Sequence, residues 1–191
     1  MLQIIHTSEK NFQEAIQTLP ETYKNSLITK KTYKESLIGR YFIYKNTGYL
    51  PKINQIGTPI FEKDNFWSIS HKENIVFIGR NQKEIGVDIE ILKTRSKEVF
   101  SIHNETEYTM IGGRNFLHFY ILWTLKESII KVFVSSIDLL PDIKINTFLQ
   151  EEKNINALIF GYHFIGTFQN IGWKGSIGVK DNLIYAFCEK I

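Results

Sequence analysis

The chain has 191 residues, room for one domain or two small lobes sharing a core, and its 23 basic and 20 acidic residues leave a net charge of +3. With 43% hydrophobic and 23% charged residues it reads as globular rather than disordered, and no apolar run is long enough to span a bilayer. The single cysteine, Cys188, excludes an internal disulfide and a cysteine-ligated zinc site within one chain, and so small a net charge does not point to nucleic acid.

Leu2 to His6 is a short apolar strand. Ser8 can cap a helix running to about Leu19, with Phe12, Ile16 and Leu19 on one stripe. Pro20 starts a longer helical stretch to about Tyr44. Between Lys24 and Lys45 lie six basic residues, Lys24, Lys30, Lys31, Lys34, Arg40 and Lys45, and one acid, Glu35. The stretch is either a solvated face or a docking surface for an anionic ligand or acidic partner. Gly48 to Asn65 reads as loop. Phe66 to Ile69, Ile75 to Gly79 and Ile85 to Ile91 read as strands.

Asn104 to Met110 begins another helix, which Gly112-Gly113 interrupts. Asn115 to Ser135 is the strongest helix of the chain, apolar on nearly every side and so expected to be largely buried. Ile143 to Phe148, Ala157 to Phe168, Ser176 to Val179 and Leu183 to Cys188 are strands, with a hairpin turn at Asp181-Asn182. Each half thus runs from helices to strands. The expectation is an α+β fold of two similar lobes, residues 1–91 and 92–191, forming a pseudo-dimer with the active site in the cleft between them.

Three short segments carry chemistry. In Gly86-Val87-Asp88-Ile89-Glu90, alternation along a strand turns Asp88 and Glu90 to one side and Val87, Ile89 and Ile91 to the other. The two acids are either solvated on an edge strand or bridged by a hard cation such as Mg²⁺. In Trp123-Thr124-Leu125-Lys126-Glu127-Ser128-Ile129-Ile130-Lys131, helical spacing puts Trp123, Glu127 and Lys131 on one face. Glu127 and Lys131 are either a surface ion pair or, on a buried helix, groups that need a metal and a phosphate as partners. In Ser68-Ile69-Ser70-His71 a strand ends in a hydroxyl and an imidazole. These are either turn residues or donors to a phosphate.

Together these segments resemble the 4′-phosphopantetheinyl transferase superfamily, which is marked by a Gly-x-Asp-x-Glu strand and a Trp-(Ser/Thr)-x-Lys-Glu-(Ala/Ser)-x-x-Lys helix. Chain length and Ser70-His71 are similar to the larger, pseudo-dimeric class that primes surfactin-type synthetases, over about Leu37 to Cys188. The resemblance implies that Asp88, Glu90 and Glu127 hold Mg²⁺ and that Glu127 and Lys131 are catalytic, Lys131 contacting the coenzyme A phosphates. It implies that Ser70 and His71 hold the coenzyme A 3′-phosphate, and it groups Lys126 with the coenzyme contacts and Gly57-Thr58-Pro59 with a loop beside the adenine. It gives Glu107 the place of a family acid, and Ser36 that of a family Thr.

The chain departs from the family pattern at Thr58, where a lysine is usual, and at Lys72-Glu73, which follow the histidine. Lys24, Lys30, Lys31 and Lys34 are candidates to supply the missing cation. The implied reaction moves phosphopantetheine from coenzyme A, the co-substrate, to a serine of an apo acyl or peptidyl carrier protein. The alternatives are a non-catalytic nucleotide- or carrier-binding module and an unrelated Mg²⁺-dependent phosphohydrolase. Met1 to Lys10 lacks the pattern of a signal peptide, and a cytoplasmic monomer, with neither nucleic acid nor membrane as partner, is expected.

Overall fold

The fold is seen in a computed structural model that describes residues 1–28, 32–54, 59–62 and 64–191. Strand β1 (Leu2–His6) leads into helix α1 (Glu9–Thr18), where the Ser8 hydroxyl accepts the Asn11 N–H at 3.1 Å and so caps the first turn. The long helix expected after Pro20 is instead two, α2 (Glu21–Asn25) and α3 (Tyr33–Thr47). The Ser26 hydroxyl bonds back to the Tyr23 carbonyl at 2.7 Å, a local bond that competes with helix continuation. Leu27, just beyond, is fully buried against Leu37 and Tyr41. Helix α3 ends at Gly48, whose φ of 68° is a left-handed cap.

Among the described residues the strands form three antiparallel sheets. Two short strands, β2 (Lys52–Ile53) and β3 (Pro59–Ile60), pair in the expected loop. A three-stranded sheet has the order β1-β5-β4, from β4 (Phe66–Lys72) and β5 (Ile75–Asn81). A five-stranded sheet has the order β6-β10-β9-β8-β7, from β6 (Ile85–Ile91), β7 (Lys144–Ile155), β8 (Leu158–Phe168), β9 (Ile171–Lys180) and β10 (Leu183–Lys190). Between β6 and β7 lie helix α4 (Glu105–Met110), helix α5 (Phe116–Phe133) and two 3₁₀ turns, Lys97–Ile102 and Ile137–Asp142. Among the described residues no helix is long and apolar enough to cross a membrane.

Several boundaries differ from expectation. Ser70 and His71 lie inside β4, paired with Phe77 and Val76, rather than at its end. Strand β7 runs on to Ile155 through Gln150-Glu151-Glu152-Lys153-Asn154, where both faces are polar and no alternation marks a strand. Pairing with β8 supplies that extension. Strand β6 pairs with β10, so a division at 91/92 separates a strand from its own sheet.

Apolar clusters hold these elements among the described residues, one of them joining α1 to α3 through Ala15, Leu19, Leu37 and Tyr41. Helix α5 covers one face of the five-stranded sheet, packing Phe119, Leu122, Leu125 and Ile129 against Phe164, Trp173, Ile177 and Ile184. Ile85, Val87 and Ile89 of β6 turn the other way, onto Phe77, Phe160 and Tyr185. Helix α3 lies on the small sheet through Ile38, Ile43, Trp67, Val76 and Ile78. Asp88 and Glu90 alternate with the apolar set, which leaves them on the α5 side of β6.

Candidate active site

Gly86 sets how closely α5 meets β6. A Cβ there would stand 2.0 Å from the Ser128 carbonyl oxygen and 2.7 Å from the Val132 nitrogen, so only glycine lets the helix backbone rest on the strand. That crossing brings Glu127 and Lys131 of α5 to Asp88 and Glu90. Lys131 donates to Asp88 Oδ1 at 2.7 Å and to the Val87 carbonyl at 3.1 Å. From β4, Ser70 donates to the same Asp88 oxygen at 2.7 Å, while Ser68 Oγ accepts the Val87 N–H at 3.0 Å and pins the two strands together. The proton of Ser70 is therefore committed to Asp88, leaving that hydroxyl no donor for a phosphate. Lys72 pairs with Glu90 at 2.7 Å.

Negative charge at this crossing is only partly matched. Burial, together with the charges of Asp88 and Glu90, pushes the Glu127 carboxyl up to about 7, against the opposing pull of Lys131 and Lys72. Asp88 Oδ2 is buried with no hydrogen-bond partner among the described residues. Three carboxylates, with Asp88 Oδ2 and Glu90 Oε2 both lacking a hydrogen-bond partner among the described residues, suit Mg²⁺ in kind. In the arrangement seen, with ammonium groups drawn onto Asp88 and Glu90, no three acidic, imidazole or thiol side chains among the described residues form a ready metal cage.

Beside the crossing is a cavity of about 360 Å³, walled by Lys131, His71, Arg40, Ser36, Ser135 and Trp67 among others. Pro59 reaches its rim. Burial and the nearby Lys131 charge lower the His71 pKa from 6.5, with partial opposition from Glu35 and Asp88, so the imidazole is neutral at pH 7. At the foot of α5, Val134 adopts a left-handed φ of 50°, and the Ser135 N–H returns to the Ile130 carbonyl at 3.0 Å, bringing Ser135 to the cavity wall.

Other candidates fall elsewhere. Lys126 is corrected from a coenzyme contact to a structural cation. Its ammonium sits 2.7 Å and 2.9 Å from the two Glu107 oxygens, and the two side chains are 2% and 5% exposed. Glu107 also closes a capping box with Asn104 at the start of α4. Lys24 is likewise turned from the cavity, bonding the Ile16 carbonyl at 2.8 Å and Glu21 at 2.6 Å. Gly57, Thr58, Lys30 and Lys31 lie outside the described residues. Sequence reasoning placed Arg40 in a basic stretch without separating it from its neighbours, and its burial could not be read from spacing.

A family model described as the 4′-phosphopantetheinyl transferase superfamily matches residues 84–188, more than half of the chain and the whole of both motifs. The chain belongs to the 4′-phosphopantetheinyl transferase superfamily. It is also 28% identical over 135 residues to a 4′-phosphopantetheinyl transferase, gsp, of Aneurinibacillus migulanus. That alignment covers 66% of this chain and 55% of the relative, so the chain spans about half the length of the curated protein it matches. The family match holds Asp88, Glu90, Glu107, Lys126, Glu127 and Lys131 and begins after Ser36, Ser70 and His71.

Proposed function

We propose that this chain transfers the phosphopantetheine arm of coenzyme A to a serine hydroxyl of an apo acyl or peptidyl carrier protein. The observation that carries the reading is the meeting of Asp88, Glu127 and Lys131 at the β6–α5 crossing, where Lys131 also lines a cavity rich in cations and hydroxyls. Membership of the superfamily supports the same chemistry. The reading includes the larger, pseudo-dimeric class working as a cytoplasmic monomer.

The serine oxygen attacks the phosphorus that bears the pantetheine arm. A new P–O bond forms as the bridging P–O bond breaks, and adenosine 3′,5′-bisphosphate leaves with the electrons of that bond. Glu127, the carboxylate that α5 brings to this crossing, takes the serine proton. Lys131 lines the cavity, so its ammonium serves both Asp88 and the phosphoryl oxygens on which charge develops. Ser70 holds Asp88 in place. Asp88, Glu90 and Glu127 would hold Mg²⁺, which supplies charge neutralisation for the pyrophosphate. Asp88 Oδ2 and Glu90 Oε2, both without a hydrogen-bond partner among the described residues, fit these residues to such a cation.

Intact-mass spectrometry of apo carrier proteins incubated with this chain, coenzyme A and Mg²⁺ tests the proposal. A mass gain of one phosphopantetheine, abolished by EDTA and by Glu127→Gln, is expected. No gain on fatty-acid, polyketide and peptide carriers, or near-normal turnover by the Gln variant, counts against it.

A further inference from the structure

Strand β4 reaches β6 through side chains rather than a backbone ladder, since the two strands belong to different sheets. Residues at every second position of β4 do this. Ser68 Oγ accepts the Val87 N–H at 3.0 Å, Ser70 donates to Asp88 Oδ1 at 2.7 Å, and the Lys72 ammonium lies 2.7 Å from Glu90 Oε2. The first two contacts are buried hydrogen bonds. The third differs in kind. Glu90 Oε2 is buried and makes no hydrogen bond among the described residues, so Lys72 brings it charge without an aligned donor. The Lys72 side chain is 31% exposed against 14% for Glu90, so the lysine enters from the solvent side and can return there.

The backbone under Lys72 is fixed. It pairs with Ile75 across a tight turn in which Glu73 adopts a left-handed φ of 51°. Only the side chain can move, about its flexible four-carbon stem. Glu73, the acid next in the chain, is taken by Lys93 at 2.6 Å, and among the described residues Glu90 is the one carboxylate within ion-pair distance of Lys72. Lys131, by contrast, keeps the Val87 carbonyl and a place on the cavity wall besides its own carboxylate. Lys72 also covers an oxygen that a metal would use. Mg²⁺ bonds a carboxylate oxygen at about 2.0–2.1 Å. Such an ion on Oε2 and an ammonium 2.7 Å from the same atom repel one another at close range, so the two occupants exclude each other.

Resting on the function proposed above, we propose that Lys72 is a resident competitor for the metal: its ammonium holds Glu90 until a divalent cation displaces it to solvent, and it thereby sets how much metal the site requires. Lys72 acts through Glu90, and it stands where the sequence departs from the family pattern. An ordinary surface ion pair would leave metal affinity unchanged.

Binding of Mn²⁺, an oxygen-seeking stand-in for Mg²⁺, tests this on the wild-type chain, Lys72→Gln and Lys72→Arg, with and without coenzyme A, the free ion being followed by its paramagnetic resonance. Removing one positive charge from beside a divalent ion, at a side chain partly screened by water, is expected to tighten binding about tenfold in Lys72→Gln. Lys72→Arg, which keeps the charge and adds a fork for the carboxylate, binds no tighter than the wild type. The thermal midpoint gives a second readout, since at one subsaturating Mn²⁺ concentration the metal should raise it further in Lys72→Gln than in the wild type. Lys72→Ser serves as the charge-free variant if the Gln protein does not fold. A folded charge-free variant whose affinity lies within twofold of wild type, or is weaker, overturns the role of Lys72, as does equal tightening in Lys72→Arg. Failure of the wild type to bind Mn²⁺ in either condition overturns the metal site of the proposed function, and this inference with it.

Discussion

Two lysines five residues apart on α5 make buried ion pairs of opposite character. Lys126 and Glu107 are closed off from solvent, and each oxygen of the carboxylate lies within 2.9 Å of the ammonium. Lys131 and Asp88 look similar by distance, at 2.7 Å, but the lysine is 30% exposed on a cavity wall and the second carboxylate oxygen has no partner. The first pair is satisfied from within the chain and ties α4 to α5. The second leaves charge and hydrogen-bonding capacity to spare. Burial and ion pairing alone therefore do not mark a reactive group. What separates the two is whether the chain itself completes the set, because an unfinished set is where a ligand gains most.

Exchanging roles is the most direct way to break this comparison. Lys131→Met should lower the kcat of carrier-protein loading by about 10²- to 10³-fold, the usual cost of removing a preorganised charge at a reacting centre, while the thermal midpoint changes little. A kcat within a few-fold of wild type would erase the distinction. Lys126→Met should do the reverse. It strands a buried carboxylate and should destabilise the fold by roughly 3–5 kcal/mol, measured by chemical denaturation, and Lys126→Met with Glu107→Leu should recover much of the loss.

The smallest expected effect is one of pH. His103 is buried against Tyr108 and Phe119 near the charge of Lys126, and burial first, then Lys126, lowers its pKa from 6.5 to about 3. The folded state holds it neutral, so the stability it contributes is complete above pH 6.5 and is lost as pH falls toward 3. His103→Phe should flatten the fall in thermal midpoint over that range without altering kcat at neutral pH. A slope identical to wild type would remove His103 from the account.

Local pattern specified much of this protein. The Ser8 cap, the apolar α5 and the alternation of β6 follow from residue types and spacing, because capping and periodicity act over a few residues. The same short range put Asp88 and Glu90 on one side of a strand, and Glu127 and Lys131 on one side of a helix. Tertiary structure decided what spacing cannot express. The stretch expected as one helix after Pro20 is two, α2 and α3, and pairing with β8 extended a strand without alternation. Gly86 brought strand and helix into backbone contact, which gave the two motifs a common centre. Lys126 and Lys131 share a motif, yet only the packing of α4, α5 and β6 determines which charge is matched and which is left for a ligand. Partners distant in sequence make that choice, since desolvation and charge pairing depend on what surrounds a group in three dimensions.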